Sequence, residues 1–110
     1  MLVTGGCGFI GRAVVQALLD GGETVTVVDR QAPDERLDGV RYVVGDLSDS
    51  AVRDDAVAPG TAAIVHLAAA TSVLQSVQRP AQTYTDNVAV TQELLELART
   101  RDVGQFLLAS

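Results

Sequence analysis

The stretch Val3 to Gly11, VTGGCGFIG, sets glycines at positions 5, 8 and 11 between a short apolar run and a helical pattern. Met1 to Thr4 reads as a strand. In FIGRAVVQALLDGG, Ile10, Val14, Ala17 and Leu18 recur at helical spacing until Gly21 and Gly22 end the pattern. A strand that enters a helix through such a turn can reverse tightly, approach a ligand closely and aim the unpaired amides of the helix N-terminus at one point. That suits a pyrophosphate, although a glycine-rich turn needed only for packing has the same spelling.

The rest of the chain repeats the alternation. TVTVVD (Thr24 to Asp29) is rich in β-branched residues and predicts a second strand, and a polar loop with Pro33 and Gly39 follows. RYVVGD predicts a third strand. Ser48 is the expected cap of a short helix over Asp49 to Ala58, closed by Pro59 and Gly60, and AAIVHL is the expected fourth strand. From Pro80 a long helix is expected to reach about Arg101, with Tyr84, Val88, Thr91, Leu95 and Ala98 on one face and Val90, Leu94 and Leu97 on another. The second of these faces is the one expected to be left for a partner helix. QFLLAS predicts a fifth strand.

Strands alternating with helices require right-handed crossovers and an α/β fold with a parallel sheet covered on both faces. The expected order is 3-2-1-4-5, with a ligand crevice beside the first strand, where the order reverses and the glycine turn lies. Asp29 ends the second strand 18 residues after Gly11, where a carboxylate can accept hydrogen bonds from ribose hydroxyls; otherwise it is an ordinary strand-end turn residue.

Composition narrows the chemistry. With 110 residues and 47% hydrophobic content the chain suits one domain, and 4% aromatics without Trp require an aliphatic core, as parallel sheets use. The net charge of −6 argues against a nucleic-acid backbone or an anionic membrane as partner, so any phosphate must be held by local amides. AAIVHLAAA is interrupted by His66 and too short to span a bilayer. Cys7 is the only cysteine, which excludes an intrachain disulfide and makes the cytoplasm the default location. All 8 basic residues are arginines, so lysine-dependent chemistry is excluded within these residues.

These motifs resemble the N-terminal part of an extended short-chain dehydrogenase/reductase of the NAD-dependent epimerase/dehydratase family. TGGCGFIG is similar to its TGxxGFIG turn, VVD to its ribose-binding strand end, GDL to its adenine contact and HLAA to its fourth strand end, with DNVAVT and FLLAS completing the match. SVQRP before the long helix resembles the nucleotide-sugar epimerases. The resemblance implies a Rossmann-type domain over residues 1–110 with NAD as cofactor, held by Gly5, Gly8, Phe9, Ile10 and Gly11 of the turn. It further implies that Asp29 binds the adenosine ribose, that Asp46 accepts from the adenine amino group and that Leu47 packs against the ring. Leu67, Ala68 and Ala69 would present backbone to the nicotinamide-side ribose and phosphate, and Asn87 would help to organise the nicotinamide half. Asp29 should favour NAD over NADP by repelling a 2′-phosphate, with Arg30 partly opposing it. His66, Cys7, Tyr42 and Tyr84 are read as structural, and no metal ligand set is present in the pattern.

Family catalysis uses a Tyr-x-x-x-Lys pair, and these residues contain no lysine. Ser110 resembles the first residue of the Ser-Ser or Ser-Thr pair after the fifth strand, so the expectation is a cofactor-binding portion without the catalytic pair or the substrate domain. Two readings remain open: this portion of a nucleotide-sugar epimerase, dehydratase or related reductase, or a non-catalytic nucleotide-sensing or partner-binding module. The resemblance also implies a helix that pairs in a dimeric bundle, here only as a weak homodimer. FLLA, apolar on both faces, becomes an aggregation-prone edge.

Overall fold

In the computed structural model, which describes residues 1–68, 80–81 and 88–109, the β-branched runs form one parallel sheet. Its strands are β1 (Leu2–Thr4), β2 (Val25–Asp29), β3 (Val40–Val44), β4 (Ala63–His66) and β5 (Gln105–Leu108), in the expected order 3-2-1-4-5. Helix α1 (Phe9–Asp20) follows β1, α2 (Ser50–Ala56) follows β3, and α3 (Val90–Thr100) precedes β5. Register aligns the strand ends. Thr4 lies opposite Val28 on one side and His66 on the other, so the C-terminal ends of the central strands finish together.

Period-two alternation sends successive side chains to opposite faces and so makes two cores. Val3, Val25 and Val27 point to the face covered by α1, where they meet Val15 and the half-buried Val14, Leu18 and Leu19. Leu2, Val28 and Ile64 point to the other face, against Ala56 of α2 and Val90, Leu94 and Ala98 of α3. Both clusters of buried residues are aliphatic, as the composition required, and each fully buried Val, Leu or Ile contributes about 1.5–3 kcal/mol.

Three local details differ from the sequence reading. In α1 the buried positions are Gly11 and Val15, whereas Ile10 and Ala17 face outward. Gly11 has no side chain, so the helix settles on that side and rotates the predicted apolar stripe by part of a turn. The cap of α2 is Asp49 rather than Ser48: the Ala51 amide donates to Asp49 Oδ1 at 2.9 Å, while Ser48 is held in the turn of Asp46, its amide donating to Asp46 Oδ1 at 2.9 Å. The third detail corrects the use of the long helix. Val90, Leu94, Leu97 and Ala98, spaced i, i+4, i+7 and i+8, are the residues that meet the sheet, so the face expected for a partner helix is the core face. Val88 and Leu95 point outward instead.

Arg101, just past α3, donates to the Asp54 carbonyl at 2.8 Å near the end of α2 and ties the two helices together. β5 is an outer strand with Leu107 and Leu108 half exposed. Among the described residues no helix is long and apolar enough to cross a membrane.

Adjacent leucines on α3 test the core assignment, since Leu94 is 0% and Leu95 46% exposed. Leu94→Ala should lower unfolding free energy by about 2–5 kcal/mol, and Leu95→Ala by about 0.5 kcal/mol or less, in urea titrations of the two variants. Equal losses would contradict this placement of the helix.

Candidate functional site

The predicted site residues that fall within the described part of the chain gather along the C-terminal edge of the sheet. The glycine turn follows β1, Asp29 and Arg30 close β2, Asp46 and Leu47 follow β3, and Leu67 and Ala68 follow β4. Ala69 and Asn87 lie outside the described residues, as do Tyr84 and Ser110.

Of the four glycines of the turn, those at positions 5, 8 and 11 have separate physical reasons. Gly5 has φ +71°, and a Cβ there would stand 3.0 Å from the Ala68 backbone, so this position needs glycine both for its backbone and for contact with the end of β4. Gly11 sits where α1 crosses the turn, and a Cβ would fall 2.2 Å from the Gly5 carbonyl oxygen. Gly8 is different. It is exposed, its φ of −75° and ψ of 175° suit any residue, and a Cβ would come no closer than 3.6 Å to its nearest neighbour, Gly5 O. Nothing within the described chain requires glycine at that point. The amides of Phe9, Ile10 and Gly11 open α1 without intrahelical acceptors, and neither a capping side chain nor an acidic residue stands in its first turn. An anion therefore finds donors and a favourable helix dipole here, despite the net charge of −6. Phe9, 95% exposed, and Ile10 flank the same opening.

Asp29 binds the turn to β2. Its Oδ2 accepts the Cys7 amide at 3.1 Å and its Oδ1 accepts the Gln31 amide at 3.2 Å, which leaves further lone pairs on both oxygens for a diol. Cys7 is half-buried beside this carboxylate, and burial followed by the Asp29 charge pushes its thiol up from its ordinary value. A raised pKa leaves the thiol protonated and inert, as expected of a packing residue. Arg30 reaches Asp46 at 3.7 Å across the ends of β2 and β3, and both side chains are about half exposed, so the pair is weak and salt-sensitive. The amide of Ser48, with a smaller contribution from Arg30, holds the Asp46 carboxyl below the usual range. Leu47 is only 7% exposed and packs with Val28 and Val57, so its side chain serves the core and the rim receives mainly its backbone.

A buried polar chain lies directly beneath the edge, and no role for it was assigned from the sequence. Thr4 Oγ1 and His66 Nδ1 are 2.6 Å apart, and His66 Nε2 is 3.0 Å from Thr91 Oγ1 on α3. The Leu67 and Ala68 amides donate to the same Thr4 hydroxyl oxygen at 3.0 and 3.1 Å. The pairing could be found by laying β1 beside β4 in register, because Thr4 shares a face with Leu2, and His66 with Ile64. His66 is 1% exposed, and burial alone depresses its pKa. Among the described residues no group of three or more His, Cys, Asp or Glu side chains could hold a metal ion.

A parallel sheet in this order, with a glycine turn after its first strand and a carboxylate ending its second, defines a Rossmann-type domain built for a dinucleotide. The pattern of the NAD dependent epimerase/dehydratase family matches residues 1–110, and the chain belongs to that family. It is 41% identical to a dTDP-glucose 4,6-dehydratase of Streptomyces niveus, a match covering 97% of this chain and 36% of the relative. It is 32% identical to a UDP-glucose 4-epimerase of Corynebacterium glutamicum, over 100% of this chain and 34% of the relative. The crystal structure of Thermus thermophilus UDP-glucose 4-epimerase in complex with NAD superposes with a TM-score of 0.86 at 35% identity, covering 96% of this chain and 35% of that one. The chain thus spans about a third of the length of the relatives it matches.

Burial of His66 makes a pH prediction. Its folded-state pKa lies below the ordinary imidazole value of 6.5, so between the two values the unfolded chain takes up the proton first. The stabilisation is fully present above about pH 7 and is lost as pH falls through 6.5 towards the folded value, at up to about 1.4 kcal/mol per pH unit. Urea midpoints at pH 7.5 and 5.5 should show this loss, and His66→Asn should flatten it; an identical slope in the variant would contradict it.

Proposed function

We propose that these 110 residues form the NAD-binding portion of an enzyme that performs epimerase or dehydratase chemistry on a nucleotide sugar. Gly8 carries the proposal: an exposed glycine without an internal need for one, at the mouth of a helix whose first amides lack acceptors. The amides of Phe9, Ile10 and Gly11 receive the pyrophosphate, and Gly8 lets it approach the backbone. Asp29, already fixed by the Cys7 amide, takes the adenosine ribose hydroxyls through its remaining lone pairs. Asp46 and the backbone at Leu47 flank the adenine. The backbone at Leu67 and Ala68, with Ala69 and Asn87, serves the nicotinamide half.

NAD, when bound, supplies the hydride acceptor for oxidation of a sugar carbon. The chain's own part is to bind and orient. It contains no lysine and hence no Tyr-x-x-x-Lys pair, so residues 1–110 alone hold the cofactor without turning over a sugar. A cytoplasmic location fits a chain with one cysteine. The outward Val88 and Leu95 of the long helix support weak self-association rather than a tight dimer.

Selectivity follows from charge. A 2′-phosphate would meet Asp29, and the neighbouring Arg30 is drawn towards Asp46, so NAD is the preferred form over NADP. Calorimetric titration of the chain should give tighter binding of NAD. Tighter binding of NADP would contradict the proposal. Asp29→Ala should weaken NAD by about 10- to 100-fold and narrow the gap between the cofactors. Gly8→Ala should keep the fold, as judged by circular dichroism, and weaken NAD by about tenfold or more. With NAD and a panel of nucleotide sugars the wild-type chain should form no product, and measurable epimerisation would overturn the division of labour.

A further inference from the structure

Peptide planarity couples two groups of the turn after β3. The Leu47 carbonyl and the Ser48 amide belong to one peptide unit, and with no cis bond among the described residues they point to opposite sides of it. Fixing the carbonyl therefore aims the amide. The amide donates to Asp46 Oδ1 at 2.9 Å, and the carbonyl accepts from Arg53 Nη1 at 2.8 Å. Helix α2 puts the arginine there. Asp49 caps that helix, helical side chains lean towards the N-terminus, and Arg53, in the turn after the cap, leans back over the residues that precede the helix.

Arg53 is charged and mostly buried. Its side chain is 14% exposed, and its second terminal nitrogen, Nη2, faces Glu93 Oε2 of α3 at 3.8 Å. A guanidinium withdrawn from water needs partners, and its planar fork can serve a carbonyl and a carboxylate at once. A bond from a cation to a carbonyl is also stronger than one between neutral groups. The Leu47 carbonyl is thus gripped by a side chain that is itself anchored to α3.

Asp46 feels this through the peptide. The Ser48 amide is the largest influence on its carboxyl and holds it below the usual range, ahead of the Ser48 hydroxyl and Arg30, and Arg53 is not among the charges that act on it. Asp46 Oδ1 takes the Ser48 amide and Oδ2 lies 3.7 Å from Arg30, which leaves lone pairs on the carboxylate for a further donor.

We infer that Arg53 is a positioning residue for the adenine end of the cofactor site: by holding the Leu47 carbonyl it aims the Ser48 amide at Asp46 and so fixes that carboxylate for the amino group of the base. The binding part of this inference rests on the cofactor assignment made above. Arg53 acts through the peptide and is not itself a ligand of the base.

Two variants of the 110-residue chain separate this role from a contribution to stability. Arg53→Met keeps an apolar stem and loses the donor, whereas Glu93→Gln removes the ion pair and leaves the bond to Leu47 in place. In ¹⁵N-labelled protein at neutral pH the Ser48 amide proton should resonate downfield, as an amide bonded to a carboxylate does. Arg53→Met should move it upfield and speed its exchange while the amides of β2 keep their protection, and Glu93→Gln should leave it unchanged. Calorimetry then compares NAD with its hypoxanthine analogue, in which a carbonyl oxygen replaces the amino group of the base. Wild type should favour NAD, and Arg53→Met should narrow that preference roughly fivefold, the scale of one hydrogen bond. A Ser48 amide indifferent to Arg53→Met, or changed equally by Glu93→Gln, would overturn the inference whether or not NAD binds. A preference for NAD that Arg53→Met leaves intact would also overturn it. A wild-type chain that binds the analogue as tightly as NAD would count against the adenine assignment and against the binding part of the inference, while the Ser48 signal would still decide whether Arg53 holds the turn.

Discussion

The contact between the N-terminal turn of α1 and the glycine turn beneath it is the constraint on which the site depends. With Gly11 only a backbone, the helix can sit on the Gly5 carbonyl, and a Cβ placed 2.2 Å from that oxygen would push the two apart. The same approach points the first helix amides over the end of β1 and leaves the Cys7 amide within 3.1 Å of Asp29. Helix, turn and second strand are thereby held in one geometry before any ligand arrives, which limits the ordering cost that binding must meet.

Polar groups at the sheet edge act as ties between neighbouring strand ends. Gly5 N–H donates to the Val28 carbonyl at 2.8 Å, Leu67 N–H to the Thr4 carbonyl at 3.1 Å, and Gly45 N–H to the Asp29 carbonyl at 2.9 Å. These bonds continue the ladder beyond the regular strands and turn four loops into a connected rim. The charged pair of Arg30 and Asp46 adds little energy at about half exposure, yet it links the ends of β2 and β3. The buried chain of Thr4, His66 and Thr91 ties the rim to α3, beside the hydrophobic packing of that helix on the sheet.

Much of this was legible in the sequence because the signals are local. Runs such as TVTVVD commit the backbone to strands by their branched side chains, and the spacing of Gly5, Gly8 and Gly11 between a strand and a helix marks the turn. The order 3-2-1-4-5 follows from right-handed crossovers, so the gathering of Asp29, Asp46 and Leu67 at one edge follows from topology. Helix faces were less legible. Position 11 has no side chain, so a hydrophobic count cannot register that α1 leans on it, and two apolar stripes on α3 give no local sign of which one meets the sheet. The resemblance of the GDL triplet implies ring packing for Leu47, whereas its place in the core beside Val28 and Val57 depends on how the strands and α2 come together.

Sequence alone determined the alternation of elements, the aliphatic character of the core, the glycine turn after the first strand and the carboxylate at the end of the second, since each depends on residues within one or two turns of chain. Tertiary structure decided the rest: which side of each helix is buried, why Gly8 differs from Gly5 and Gly11, and the hydrogen-bonded line from Ala68 through Thr4 and His66 to Thr91. The physical reason is range. Propensity and periodicity act over a few residues, whereas Thr4 and His66 are 62 positions apart and become neighbours only when β1 and β4 pair in register.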